Sequence, residues 1–198
     1  VQAEAFEIVC RLMQEKGYEQ YEISNFCLPG FCSRHNSSYW QGKPYWGFGP
    51  AAHSFDGKNK RRWNLANNAL YLQNIEKNNL PFEEEQLTQT QQMNEAILIS
   101  LRTSEGLDME KFAQHFGKIN VDRLLDHAQK YISSEKIILT QQHLFLTQAG
   151  KFLADGIAAD LFLLKKAALL GSFKTRYLLF KIYFAFTFTE TLRFCARP

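Results

Sequence analysis

The chain has 198 residues, 45% hydrophobic and 22% charged, enough apolar material for one or two packed cores, which excludes global disorder. Its 23 basic and 20 acidic residues leave a net charge of +3. Residues 163–198 hold seven of the basic ones against Glu190 alone, so the body before them is mildly acidic and lacks the basic face on which nucleic-acid affinity rests.

Glu4 to Lys16 reads as a helix that stacks Ala5, Phe6, Val9, Cys10 and Met13 on one side, with Gly17 placed to cap its C-terminus. Tyr18 to Phe26 then reads as a short strand, rich in aromatic and β-branched residues. A helix followed at once by a strand is half of an α/β unit, and it implies further strands upstream. Because the chain opens on Val1, already inside the helical pattern, we expect a fragment of a longer protein. Residues 27–64 crowd glycines and prolines among Tyr39, Trp40, Tyr45, Trp46, Phe48 and Phe55. Regular elements here must be short, and the aromatics either form a binding surface or pack as a loop layer over a barrel end, packing being the favoured reading.

After Pro81 the character becomes helical. Glu83-Glu84-Glu85 reads as a solvated linker. Helices are predicted over Thr88 to Arg102, Met109 to Phe116 and Val121 to Ile132. Ile137 to Leu139 and Leu144 to Leu146 are short strands around a polar turn, and Thr147 can cap a last helix that runs to about Phe162. Three helices, a hairpin and a final helix suggest a winged-helix module. Its recognition helix, near Asp122 to Lys130, carries balanced charges and no basic stripe, so DNA binding is not expected.

Cys10, Cys27, Cys32 and Cys195 are irregularly spaced and the first residues show no charged n-region and apolar h-region, so reduced thiols in a cytoplasmic setting are expected rather than a disulfide framework. The nearest approach to a membrane span, Tyr177 to Phe188, falls short of the ~18 apolar residues required and is broken by Lys181. Among motifs, Arg34-His35-Asn36-Ser37-Ser38-Tyr39-Trp40 is the densest. An imidazole can ligate haem iron and flat rings can pack on a porphyrin, although a loop histidine more commonly hydrogen-bonds a carbonyl. His53 poses the same choice. Neither histidine has zinc-ligand spacing around it, and Cys27-x4-Cys32 is too isolated for a metal site. No Ser-His-Asp pattern, P-loop or dinucleotide fingerprint occurs.

Gln20-Tyr21-Glu22-Ile23-Ser24-Asn25-Phe26, Pro29-Gly30, His35-Asn36-x-x-Tyr39-Trp40 and Tyr45-x-Gly47-x-Gly49-x-x-Ala52-His53-Ser54 together resemble the oxygen-independent coproporphyrinogen III oxidase-like family, most closely its HemW branch. Arg61-Arg62-x-Asn64, Asn94-Glu95 and Leu101-Arg102-Thr103 with Gly106-Leu107 extend the match, which covers about residues 1–162. The resemblance implies an α/β remnant over 1–80, the end of a radical S-adenosylmethionine partial (β/α) barrel. A mainly α, winged-helix-like C-terminal domain over 81–162 and an atypical basic, hydrophobic tail over 163–198 complete the expected organisation.

In that family HemW proteins are haem chaperones that pass haem to receiving proteins such as cytochromes, and HemN relatives decarboxylate coproporphyrinogen III in porphyrin biosynthesis. The resemblance therefore implies haem at His35, as iron-linked residue, with Tyr39 and Trp40 shaping the pocket, and S-adenosylmethionine near Cys27. The alternative is part of an oxidase. The family's [4Fe-4S] motif, Cys-x3-Cys-x2-Cys, does not occur in these 198 residues, so this chain by itself is expected to carry no radical chemistry. Haem or porphyrin and haem-receiving proteins are the expected partners, with membranes approached only through them. The tail, whose Tyr177 to Phe188 stretch has an aggregation-prone profile, is expected not to be a selected structural element.

Overall fold

A computed structural model describes residues 2–163. All but the first residue of the basic tail, with Cys195, lie outside the described residues.

Helix α1 (Gln2–Glu15) forms where its apolar period predicts, and Gly17, at φ 79°, closes it in the left-handed conformation that glycine adopts without a Cβ penalty. Phe6, Cys10 and Met13 turn inward, with Phe6 6.2 Å from the Phe152 ring, while Val9 and Leu12 stay exposed. The single strand expected at Tyr18–Phe26 is instead a small hairpin, β1 (Glu19–Gln20) paired antiparallel with β2 (Phe26–Cys27). A buried carboxylate explains the break. Glu22, only 2% exposed, accepts from the Ser24 backbone N–H at 2.9 Å and from the Asn25 side chain, so the chain must bend to bring those donors round it.

Short helix α2 (Arg34–Trp40) follows, capped by Ser33. A three-stranded antiparallel sheet comes next, in the order β3 (His53–Phe55), β4 (Lys60–Asn64), β5 (Phe82–Gln86), with α3 (Asn68–Glu76) between β4 and β5. The glutamate run is thus a strand and not a linker. Its register sets Glu84 opposite Arg62 and Glu85 opposite Arg61, opposite charges facing each other across a ladder, which favours the pairing.

The remaining elements are α4 (Gln89–Arg102), β6 (Leu107–Asp108), α5 (Met109–Phe116), α6 (Lys118–Ser133), β7 (Ile137–Leu139), β8 (His143–Leu146), α7 (Gln148–Lys151) and α8 (Ala154–Asp160). Thr88 and Gln91 form a reciprocal capping box at the start of α4. Strands β6, β8 and β7 lie in that order, all antiparallel. The last predicted helix is split, because residues 152–153 interrupt it between α7 and α8. Ile97, Leu101, Leu124, Ile137, Leu144, Ile157 and Leu161, each less than 2% exposed, form the core between α4, α6, α8 and this sheet.

The N-terminal segments are tied to that core. The Ile23 N–H donates to the Arg102 carbonyl at 3.0 Å, the Ser104 N–H donates to that of Tyr21 at 3.1 Å, and the Lys151 ammonium donates to Gln20 at 2.8 Å. Among the described residues no helix is long and apolar enough to cross a membrane.

Candidate functional site

The HNxxYW string is the helix α2. Ser33 supplies the N-cap, accepting from the Asn36 backbone N–H at 3.2 Å, and the Asn36 side chain donates to the Tyr21 hydroxyl at 3.0 Å. The asparagine of the motif is therefore structural, locking α2 to the turn that carries Glu22. Tyr39 and Trp40 are half-buried; the Arg102 guanidinium lies 5.6 Å from the centre of the Trp40 ring, within cation–π range. His35 is exposed, and its ring meets the edge of Tyr39 at 5.0 Å and 89°. No hydrogen bond to either imidazole nitrogen of His35 is formed among the described residues. The common fate of a loop histidine, bonding a carbonyl, is not the one observed.

Behind α2 the rings continue. Tyr39 packs edge-on against Tyr45 at 4.8 Å, Tyr45 lies 6.3 Å from Phe55, and Arg61 sits 5.5 Å over Phe55. The Arg61 guanidinium donates two parallel bonds, 2.6 and 2.8 Å long, to the Glu95 carboxylate of α4. Burial raises the Glu95 carboxyl above its ordinary value in spite of Arg61, and burial likewise raises the Tyr45 hydroxyl. This row was missed in the sequence. The signal for it was the period-2 alternation that puts His53 and Phe55 opposite Trp63 and Arg61 in β3 and β4.

The glycine-rich motif is a packing device. A Cβ on Gly47 would fall 2.1 Å from the His53 carbonyl oxygen, so the loop can lie on β3 only if that residue has no side chain. The Gly47 N–H donates to Ser54 Oγ at 3.0 Å, and Asn64 donates to the Gly49 carbonyl at 2.9 Å, both Ser54 and Asn64 being buried. His53 is exposed, its ring 6.3 Å from that of Trp63.

Cys27 is buried and bonded to Cys32 in a disulfide, which corrects the expectation of reduced thiols for these two residues. The Leu28-Pro29-Gly30-Phe31 turn, with a Phe31 N–H to Leu28 carbonyl bond and Gly30 at φ 82°, brings the two Cα atoms within 4.9 Å. Its sulfur is thus occupied at the position implied to approach S-adenosylmethionine. Among the described residues no group of three or more His, Cys, Asp or Glu side chains could hold a metal ion. These residues do not fit an iron–sulfur cluster. An exposed imidazole beside aromatic rings does fit a haem as bound cargo.

The HemN C-terminal domain family matches residues 87–153. The heme chaperone HemW of Bacillus subtilis (strain 168) is 32% identical over 158 residues, which are 79% of this chain and 41% of that protein. Its namesake in Lactococcus lactis is 30% identical over 166 residues, 78% of this chain and 43% of that protein. Residues 87–153 are thus a HemN C-terminal domain, and most of the chain is homologous to HemW heme chaperones. The structure of coproporphyrinogen III oxidase (HemN) from Escherichia coli, a radical SAM enzyme, has the same fold over 79% of this chain and 40% of its own, with a TM-score of 0.62 at 15% identity. The chain spans about two fifths of the length of these curated relatives. Within the family motifs, Glu22, Asn36, Gly47, Asn64 and Glu95 all have structural partners here, and His35 stands apart from them, exposed to solvent.

Proposed function

We propose that this chain is the haem-binding C-terminal part of a HemW-type chaperone, with His35 reaching the haem iron and Tyr39 and Trp40 walling the site. In this reading residues 1–80 are the end of a radical SAM barrel and residues 81–162 a winged-helix-like domain. The order helix, strand, two helices and two strands over residues 89–146 supports the latter. The observation that carries the haem reading is the imidazole of His35, exposed on a helix that is itself held by Ser33, Asn36 and Tyr21. A rigid support with a free nitrogen is what ligating an iron demands, and the names of the relatives point to the same cargo. Delivery to haem-receiving proteins such as cytochromes follows from the same family reading. The alternative, part of an oxygen-independent coproporphyrinogen III oxidase, is less favoured because the His35-Asn36-x-x-Tyr39-Trp40 string resembles the chaperone branch more closely.

Titrating the chain with haem tests this. A saturable shift of the Soret band that His35→Ala abolishes, with unchanged far-UV circular dichroism, is the expected result. An equal shift in His35→Ala refutes His35 as the ligand, and no shift in a folded wild-type chain refutes haem binding by this chain.

A further inference from the structure

On the opposite face of β4 from Arg61, the Arg62 guanidinium lies 5.3 Å from the centre of the Trp46 ring and 4.6 Å from that of Phe82. Trp46 is 72% exposed, and Phe48, two residues on, is 90% exposed. Large rings left in water on a Gly-rich loop are an unusual surface. Here the loop cannot retract them, because Gly47 and Gly49 beside them are fastened to Ser54 and Asn64.

The charge on this surface is not neutralised from within. Glu84 is opposite Arg62 in the ladder, but its carboxylate reaches Lys60 instead, at 3.4 Å. No carboxylate among the described residues lies within ion-pair distance of Arg62. A guanidinium stacked on two rings still offers its N–H edge, the fork that takes a carboxylate with two bonds, and Lys60 stands two positions away on the same strand with an exposed side chain. Exposed rings next to an unneutralised fork favour an aromatic ligand that carries a carboxylate at its rim.

We infer that Trp46, Arg62 and Phe82 form a second, metal-independent contact site for a tetrapyrrole, in which the macrocycle lies against the rings and a propionate is held by Arg62. The choice of a tetrapyrrole rests on the haem reading above; the contact itself does not involve His35 or iron. A propionate on an aromatic macrocycle matches the unpaired Arg62 and the exposed rings beside it, whereas a neutral partner would leave Arg62 unanswered.

Iron-free protoporphyrin IX and its dimethyl ester, titrated into the full chain and followed by quenching of tryptophan emission, separate the two sites. The free acid is expected to bind about tenfold more tightly than the ester, the size of effect a charge-assisted bond supplies. Arg62→Met should remove that difference, while His35→Ala should leave it intact. Because the acid–ester comparison is made on the unaltered chain, it holds even if a variant folds poorly. Equal affinity for acid and ester overturns this inference, and so does an acid preference that Arg62→Met retains in a folded protein. A His35-dependent Soret shift with no acid preference would overturn this site and leave the haem reading standing, whereas no binding of any tetrapyrrole would overturn both.

Discussion

Breaking the Arg61–Glu95 pair is expected to destabilise the chain more than replacing it. The two side chains are 17% and 15% exposed and joined by two short bonds, so the value of an exposed surface pair, about 1 kcal/mol or less, does not apply. Removing one partner of a buried pair costs about 3–5 kcal/mol. With some residual exposure, Arg61→Met should cost roughly 3 kcal/mol at pH 7. Arg61→Met/Glu95→Met, which leaves no lone charge, should lie within about 1 kcal/mol of the wild type, roughly 2 kcal/mol more stable than Arg61→Met alone. The single variant should also be pH-dependent. Burial already raises the Glu95 carboxyl, so the native state holds that proton more tightly than the unfolded chain. Its contribution is therefore fully present below the ordinary glutamate value and is lost as pH rises through the raised native one. Without Arg61 the rise is larger, and the cost of Arg61→Met should shrink from pH 7 to pH 5 as Glu95 is neutralised. Urea unfolding followed by far-UV circular dichroism, read as midpoint shifts at constant slope, measures this. If single and double variants were equally unstable, or the single variant's cost were the same at both pH values, the account of a buried, coupled pair would be wrong.

Gly47→Ala should destabilise by about 2 kcal/mol, because its Cβ would meet the His53 carbonyl at 2.1 Å and the loop must lift; a thermal melt unchanged from wild type would contradict this. Thr147 accepts from the Gly150 N–H at 3.1 Å and donates to the Glu135 carbonyl at 2.9 Å, so Thr147→Ala should lose about 1 kcal/mol, with Thr147→Ser keeping most of it in the same urea assay. Burial lowers the Lys151 ammonium below its ordinary value. The native state then holds that proton less tightly than the unfolded chain, and stability rises as pH climbs from the lowered value toward the ordinary one of about 10.4. Lys151→Met should consequently be neutral or stabilising at pH 7, with the advantage fading in unfolding curves taken toward pH 10, despite the lost bond to Gln20.

Much of the C-terminal half is legible in the sequence, since its information is local and periodic. Met93, Ile97 and Leu101 recur on one face of α4, and Ile137–Leu139 and Leu144–Leu146 flank a polar turn; all form what their spacing predicts. The region ahead of residue 87 is legible mainly as motifs. Its aromatic and glycine content could not separate packing from binding, because the same residue types serve both. In the structure the motif divides: Gly47, Asn64 and Asn36 hold the backbone, and His35, Trp46 and Phe48 are left in solvent.

The amino-acid sequence by itself determined the resemblance to HemN and HemW proteins and the helices of residues 89–133, and it nominated His35, Tyr39 and Trp40 as a candidate site, because these rest on residue identity and short-range spacing. Only the tertiary structure decided the rest. It turned the Glu83–Glu85 run into a strand against Arg61 and Arg62, bent Tyr18–Phe26 about the buried Glu22 and joined Cys27 to Cys32. It also set Arg61 against Glu95, 34 residues away. Each of these depends on which partner lies across a turn or a ladder. A carboxylate next to water is a linker residue, and the same carboxylate opposite a guanidinium is part of a sheet, a difference made by long-range contact that no local pattern carries.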